Sequence, residues 1–118
     1  MLINFNNSQE LLEVAQKKLL YQKLLTQVKK DFEMANVGLE FNMDIKPNEL
    51  RSILHEKIYF LILEKFQEYL NLLYVVDIPE TAVKKIEADD VVDVSAQVCF
   101  LLLKRELQKV WFKDKYGS

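Results

Sequence analysis

The strongest constraint on the fold is a run of six consecutive apolar residues, 58–63, inside a helix-like segment that spans about residues 47–74. Six neighbouring side chains on a helix point in every direction, and a helix that is apolar all round is normally covered on more than one side. We therefore predict a central helix over residues 47–74, with the rest of the chain, and a second chain, packed around it.

Turn residues are scarce in this chain, which holds only two glycines and two prolines among 118 residues. Each reversal of chain direction normally needs such a residue, so we expect a few long elements. A composition of 50% apolar and 29% charged residues is typical of a globular protein. The sequence thus predicts one mainly α-helical domain over residues 1–118, a bundle of three long helices plus one short helix.

Capping residues set the expected helix boundaries. Asn7, with Glu10 three positions later, is typical of a helix start and opens a first long helix at about residues 8–35. Pro47 suits the first turn of the central helix. A short helix is predicted at about residues 78–87, and the last long helix runs from a cap at Asp89 or Asp90 to about residue 116.

A different pattern occupies residues 39–45, where four apolar residues alternate with polar ones. This period of two is typical of an extended segment with one apolar face. Two interpretations stay open, a short strand or an extended connector that lies over the helices. Residues 1–7 are also expected to form a short extended arm.

The apolar face of each predicted long helix changes sides near its middle. On the central helix, Leu50 and Leu54 lie on one side, whereas Phe66 and Leu70 lie roughly opposite. A regular bundle keeps each apolar stripe on one side, so each helix is either broken at its centre or packs its two halves against different neighbours. Because few helix-breaking residues occur there, we favour the second explanation, with a homodimer as the simplest arrangement.

No set of side chains forms a catalytic or metal-binding motif in this sequence. His55 is the only histidine, and the His-Glu-x-x-His motif fails because position 59 is a tyrosine. Cys99 is the only cysteine, which excludes an internal disulfide and a cysteine-based metal site. Glu64 and Glu68 lie one helical turn apart and fit a solvated surface with neighbouring lysines. We therefore expect neither an enzyme nor a bound cofactor or metal.

We predict a non-catalytic cytoplasmic protein that acts through protein–protein association, as a homodimer. The cytoplasmic assignment follows from the single cysteine and from the lack of a signal peptide or a membrane-spanning apolar segment. The candidate interface residues are Phe60, Leu61, Leu101, Trp111 and Phe112.

We retain two alternative functions in addition to protein–protein association. The first is a carrier or sensor for a small apolar ligand, with an aromatic pocket formed by Tyr59, Phe66, Tyr69 and Tyr74. The second is a nucleic-acid accessory protein that uses the basic last helix, through Lys104, Arg105, Lys109 and Lys113. The net charge of −2 does not favour a polyanionic partner, so nucleic acid is the less expected of these ligands.

Overall fold

The computed structural model describes residues 5–117 and is mainly helical, with six helices and no strand in that range. Residues 1–4 of the expected N-terminal arm lie outside the described residues. The helices are α1 (Ser8–Lys17), α2 (Tyr21–Met34), α3 (Pro47–Glu64), α4 (Phe66–Val76), α5 (Glu80–Lys84) and α6 (Val91–Tyr116). The predicted arrangement of three long helices and one short helix is therefore wrong in number, although the α-helical class is confirmed.

The last helix, α6, lies at the centre of the bundle. It contacts α1, α2, α3 and α4, and its contact with α3 is the most extensive between any two of the described helices. One core of buried apolar side chains runs through the molecule, whose dimensions are 36 × 27 × 24 Å. The segment expected to be the single central helix, α3 together with α4, thus shares the centre with α6.

Three of the expected helix starts are confirmed, two of them by capping hydrogen bonds. The side-chain oxygen of Asn7 accepts a hydrogen bond from the backbone N–H of Glu10 at 2.9 Å, at the start of α1. Asp90 caps α6 in the same way by accepting from the N–H of Asp93 at 2.8 Å. Pro47 occupies the first turn of α3, where its missing N–H leaves no helical hydrogen bond unmade.

The first predicted long helix is interrupted by a reversal that contains no glycine. Leu19 adopts a left-handed backbone conformation with φ +59°, and the N–H of Leu20 then bonds to the carbonyl of Ala15 at 2.8 Å. This is the Schellman arrangement, which normally places glycine in the left-handed position. Asn36 and Asp77 end α2 and α4 in the same way, with φ of +59° and +71°. The expectation that few glycines mean few reversals is therefore wrong.

The predicted helix over residues 47–74 is also broken, at Lys65. Its φ of −138° and ψ of 59° lie outside the helical region and separate α3 from α4. A broken helix is the explanation that we did not favour. After the break Tyr69, Leu72 and Leu73 are buried in the core, whereas Phe66 and Leu70 of the predicted second face stay exposed. In α6 the face does not switch to the opposite side, because the buried residues keep a spacing of three and four from Ser95 to Val110.

Residues 39–45 form a connector without a strand, which agrees with the second interpretation only in part, because Met43 and Asp44 form a turn closed by the N–H of Ile45 and the carbonyl of Asn42 at 3.0 Å. Its backbone carbonyls are bound by side chains of α2, since the Tyr21 hydroxyl donates to Ile45 O at 2.7 Å and the Gln22 amide donates to Met43 O at 3.0 Å. Burial raises the pKa of Tyr21 to about 12, and the nearby charge of Glu49 adds to the rise, so this hydroxyl remains a donor. The connector is thus fixed to α2 without a partner strand.

The short helix predicted at residues 78–87 is present but shorter. It comprises only Glu80–Lys84, and its start at Pro79 has no side-chain capping bond. Asp77, which precedes this helix, ends α4. Its carboxylate accepts a hydrogen bond from Arg105 at 3.0 Å.

Candidate functional site

Three large apolar side chains form an exposed row on α4. Phe66, Leu70 and Tyr74 follow one another at four-residue spacing, which aligns them along one side of the helix. Their side chains are 54%, 42% and 86% exposed. We call these three residues the outer stripe of α4. Of the other apolar residues of α4, Val75 is half-buried, and the core buries Tyr69, Leu72, Leu73 and Val76.

The surroundings of the outer stripe carry little charge. Between its members lie the uncharged Gln67 and Asn71, whose side chains hydrogen-bond to each other at 3.1 Å. The only charged residue within α4 is Glu68, which is half-buried. Leu63, near the end of α3, is also exposed. The stripe itself is therefore apolar and uncharged, with the exposed residues Glu64 and Lys65 before it in the chain and Asp77 after it.

The five residues expected at an interface do not form one surface. Leu61 is completely buried in the core of the chain, so it has no surface to offer to a partner. Phe60 is 44% exposed, and Lys57 lies over its ring at 5.6 Å. Leu101 is half-buried and lines a cleft beside α5.

The remaining two members belong to a separate aromatic cluster at the end of α6. The rings of Trp111 and Phe112 meet edge to face at 5.4 Å, and Tyr116 lies 5.7 Å from Phe112 and 6.2 Å from Trp111. Lys115 stacks over the Trp111 ring at 5.5 Å. Phe112 and Tyr116 nevertheless remain 55% and 69% exposed, so the cluster is an exposed aromatic surface separate from the outer stripe of α4.

The four aromatic residues expected to line a ligand pocket are also dispersed. Phe66 and Tyr69 are neighbours, with ring centroids 5.4 Å apart, but Tyr69 is buried and burial raises the pKa of its hydroxyl. Tyr74 is exposed on the outer stripe. Tyr59 lies on α3, where it lines a shallow depression with Val92. No single pocket among the described residues contains all four side chains.

Three of the four basic residues expected to contact nucleic acid are engaged within the chain. Arg105 binds Asp77, and Lys113 donates to the side-chain carbonyl of Gln27 at 2.7 Å. The ammonium group of Lys109 donates to Asp31 at 2.7 Å and to the backbone carbonyl of Val75 at 3.4 Å. These contacts hold α6 against α2 and the end of α4 and reduce the cationic surface available to a phosphate chain.

A buried acidic pair accompanies Lys109. Glu106 is completely buried, and none of the described N–H or O–H groups donates to its carboxyl oxygens. Burial raises the pKa of Glu106 to about 9, and the neighbouring Asp31 carboxylate adds to the rise. Burial alone also favours a raised pKa at Asp31, but the hydrogen bonds from Lys109 and Gln27 and the charge of Lys109 lower it. The two shifts favour a neutral Glu106 beside an ionised Asp31 at pH 7.

His55 is held in one tautomer by α6. Its Nε2 atom lies 3.0 Å from the carbonyl oxygen of Val92 and 2.9 Å from the hydroxyl oxygen of Ser95. The Ser95 hydroxyl donates to the same carbonyl at 2.8 Å. Because a carbonyl can only accept, the hydrogen of the neutral ring resides on Nε2. None of these contacts joins His55 to a carboxylate, and no catalytic triad is assembled among the described residues.

Cys99 is the only cysteine of the chain, and its side chain is buried. Burial raises the pKa of Cys99 to about 12, so its thiol is neutral and shielded and does not act as a nucleophile at pH 7. Over residues 5–117, no group of three histidine, cysteine or acidic side chains is placed to hold a metal ion. Within the same range, no helix combines the length and the apolar character needed to cross a membrane.

Sequence reasoning missed Asp31 and Glu106, although the sequence carries a signal for Glu106. Glu106 follows Cys99, Leu102 and Leu103 at the spacing of three and four that marks the buried side of a helix. An acidic residue in such a row indicates a buried carboxyl that needs a partner. Comparisons with known proteins add no candidate site, since no protein-family model, curated protein or solved structure matches this chain.

Proposed function

We propose that this protein acts through association with a second copy of itself, with the outer stripe of α4 at the centre of the interface. The observation that carries the proposal is the row of Phe66, Leu70 and Tyr74, which stays exposed while the other apolar residues of the same helix are buried or half-buried. A helix that is apolar on two sides needs cover on both. A contiguous exposed apolar row is typical of an interaction surface.

The area of the stripe suits a dimer of moderate affinity. From their exposed fractions, the three side chains offer about 400 Å² per chain, roughly half of what a standard interface buries on each partner. The flanking Gln67 and Asn71, together with exposed Leu63, supply further apolar and polar contact area. We therefore expect a dimer that dissociates at low concentration rather than an obligate one.

The low charge of this surface favours a second copy as the partner. In a two-fold symmetric dimer each patch meets its own copy, so a patch with charge of a single sign brings like charges together. With Glu68 as its only charged residue, α4 creates little repulsion of this kind. Two antiparallel α4 helices could place Leu70 of each chain near the symmetry axis, with the aromatic residues of the stripe on either side.

The proposal includes a non-catalytic role in the cytoplasm. The absence of an assembled catalytic set among residues 5–117 supports the first part, and a free buried Cys99 is compatible with a reducing compartment. The aromatic carrier receives less support because its four residues are dispersed. The nucleic-acid role receives less support because Arg105, Lys109 and Lys113 already have partners within the chain.

Light scattering during size exclusion, over a hundredfold range of loading concentration, tests the proposal with a matched pair of variants. Leu70→Glu places a charge in the stripe, whereas Met43→Glu places one on the connector at a residue of similar exposure, 42% against 37%. We expect the wild type and Met43→Glu to rise from 14.0 kDa toward twice that mass. Leu70→Glu should remain a monomer with unchanged helical circular dichroism. A wild-type monomer throughout, or an unaltered Leu70→Glu dimer, would overturn the proposal.

A further inference from the structure

A cleft of about 710 Å³ lies beside the contact of α3 with α6. Its walls come from the start of α1 with the two residues before it, from α3, from α5 with the two residues that follow it, and from α6. This volume is in the range of small-molecule sites, which hold an apolar ligand body and a few orienting polar groups. The cleft is distinct from the outer stripe of α4, none of whose residues lines it.

The charged side chains around this cleft are all basic. Arg51 and Lys85 line it together with His55, and none of the 18 acidic residues of the chain is among its described lining residues. Within residues 5–117, no carboxylate lies within 4.0 Å of Arg51 or Lys85. Arg51 is half-buried and lines the cleft together with the buried Cys99.

The rest of the lining is largely apolar. Ile86, Phe100 and Leu101 are half-buried around the cleft, and Ala82 and Ala96 leave room between them. A half-buried guanidinium without a carboxylate partner is suited to bidentate binding of a ligand carboxylate. An apolar wall beside it is suited to an alkyl or aryl body.

We propose that this cleft binds an organic monoanion, a carboxylate with an apolar body the size of a medium-chain fatty acid. Arg51 holds the carboxylate, Lys85 adds positive charge at the rim, and the apolar body lies against Phe100 and Leu101. This ligand carries a negative charge, unlike the small apolar ligand expected from the sequence. The difference arises because Arg51 and Lys85 were not among the pocket residues predicted there.

The test is calorimetric titration of the full chain with decanoate, and with decan-1-ol as a neutral ligand of matched length. We expect saturable 1:1 binding of decanoate and at least about tenfold weaker binding of decan-1-ol, the loss of one charge-assisted contact. Arg51→Gln should weaken decanoate binding by a similar factor. Lys46→Gln, an exposed lysine outside the cleft, should leave it unchanged.

A second variant locates the ligand. Ala82→Trp fills the cleft from a half-buried position on α5 and should abolish binding while the melting temperature is retained. Binding should persist in Leu70→Glu, so that failure of the dimer proposal and failure of this one can be told apart. No decanoate binding, equal affinity for the alcohol, or an unchanged affinity in Arg51→Gln or in Ala82→Trp would overturn the inference.

Discussion

The ammonium nitrogen of Lys109 lies 2.7 Å from a carboxylate oxygen of Asp31, across the contact between α6 and α2. Both side chains are largely withdrawn from water, with 17% and 4% of their surface exposed. The same nitrogen lies 3.5 Å from Glu106, so one cation serves two carboxyl groups. This arrangement needs only one ionised carboxyl for charge balance, which agrees with a neutral Glu106.

Lys109→Met should destabilise the fold strongly because it leaves the Asp31 carboxylate buried without its cation. We expect a loss of about 3 kcal/mol in the free energy of unfolding, measured by urea denaturation at pH 7. The double variant Lys109→Met/Asp31→Asn should recover part of this loss. As a control, Lys23→Met removes the exposed pair with Asp114 and should cost less than about 1 kcal/mol. Equal losses in the two lysine variants would contradict the account of the buried pair.

Stability should fall as pH rises, because of Glu106. Its pKa is raised in the folded chain from an ordinary value of 4.5 to about 9. Between these values the unfolded chain releases this proton and the folded chain keeps it, so rising pH favours unfolding by up to about 1.4 kcal/mol per pH unit. The effect of the lowered pKa of Asp31 has the opposite sign and falls at more acidic pH, where protonation of this group destabilises the fold.

Glu106→Gln isolates that contribution, because an amide has the shape of the neutral carboxyl and does not titrate. The variant should show a flatter dependence of melting temperature on pH between 5 and 9 and should melt above the wild type at pH 8. Glu64→Gln changes an exposed carboxylate and should follow the wild-type profile. A Glu106→Gln profile parallel to that of the wild type would mean that Glu106 is ionised in the folded chain.

Leu19→Gly should stabilise the protein. Leu19 has φ +59° and is 86% exposed, so its side chain contributes little packing while its backbone is strained. Removal of the Cβ should raise the free energy of unfolding by about 0.5–1 kcal/mol, after the greater freedom of glycine in the unfolded chain is subtracted. Leu19→Ala shortens the side chain but retains the Cβ, so chemical denaturation should show no comparable gain. An equal gain in both variants would assign the effect to the side chain instead of to the backbone.

The helical class and the helix starts could be predicted from the sequence because they rest on local signals. Asn7, Pro47 and Asp90 act through contacts within a few residues of themselves. The reversal at Leu19 and the helix break at Lys65 could not be predicted, since neither residue favours the backbone conformation that it adopts. Their conformations are set by packing, as the buried Leu20 and Ala15 on either side of the first reversal illustrate.

The candidate sites depend more on tertiary structure than the helix starts do. Phe66 and Tyr74 were noted in the sequence as aromatic residues of one segment, but periodicity alone does not show which side of α4 is buried. The cleft brings Arg51 of α3 close to Lys85 and Phe100, which are separated from it by more than thirty residues. Only Glu106 carried a local signal that was overlooked, as a charged residue within an apolar row.

Disulfide trapping along the outer stripe tests the central claim, self-association through α4, most directly. Single cysteines at Phe66, Leu70 and Tyr74 are compared under mild oxidation with one at Met43, and the buried native Cys99 contributes little background. The account predicts that at least one stripe position forms a covalent dimer much faster than the Met43 control, and that dilution slows the reaction. If none of the three stripe cysteines crosslinks faster than the control at concentrations where the mass is that of a dimer, the interface lies elsewhere and the claim is contradicted.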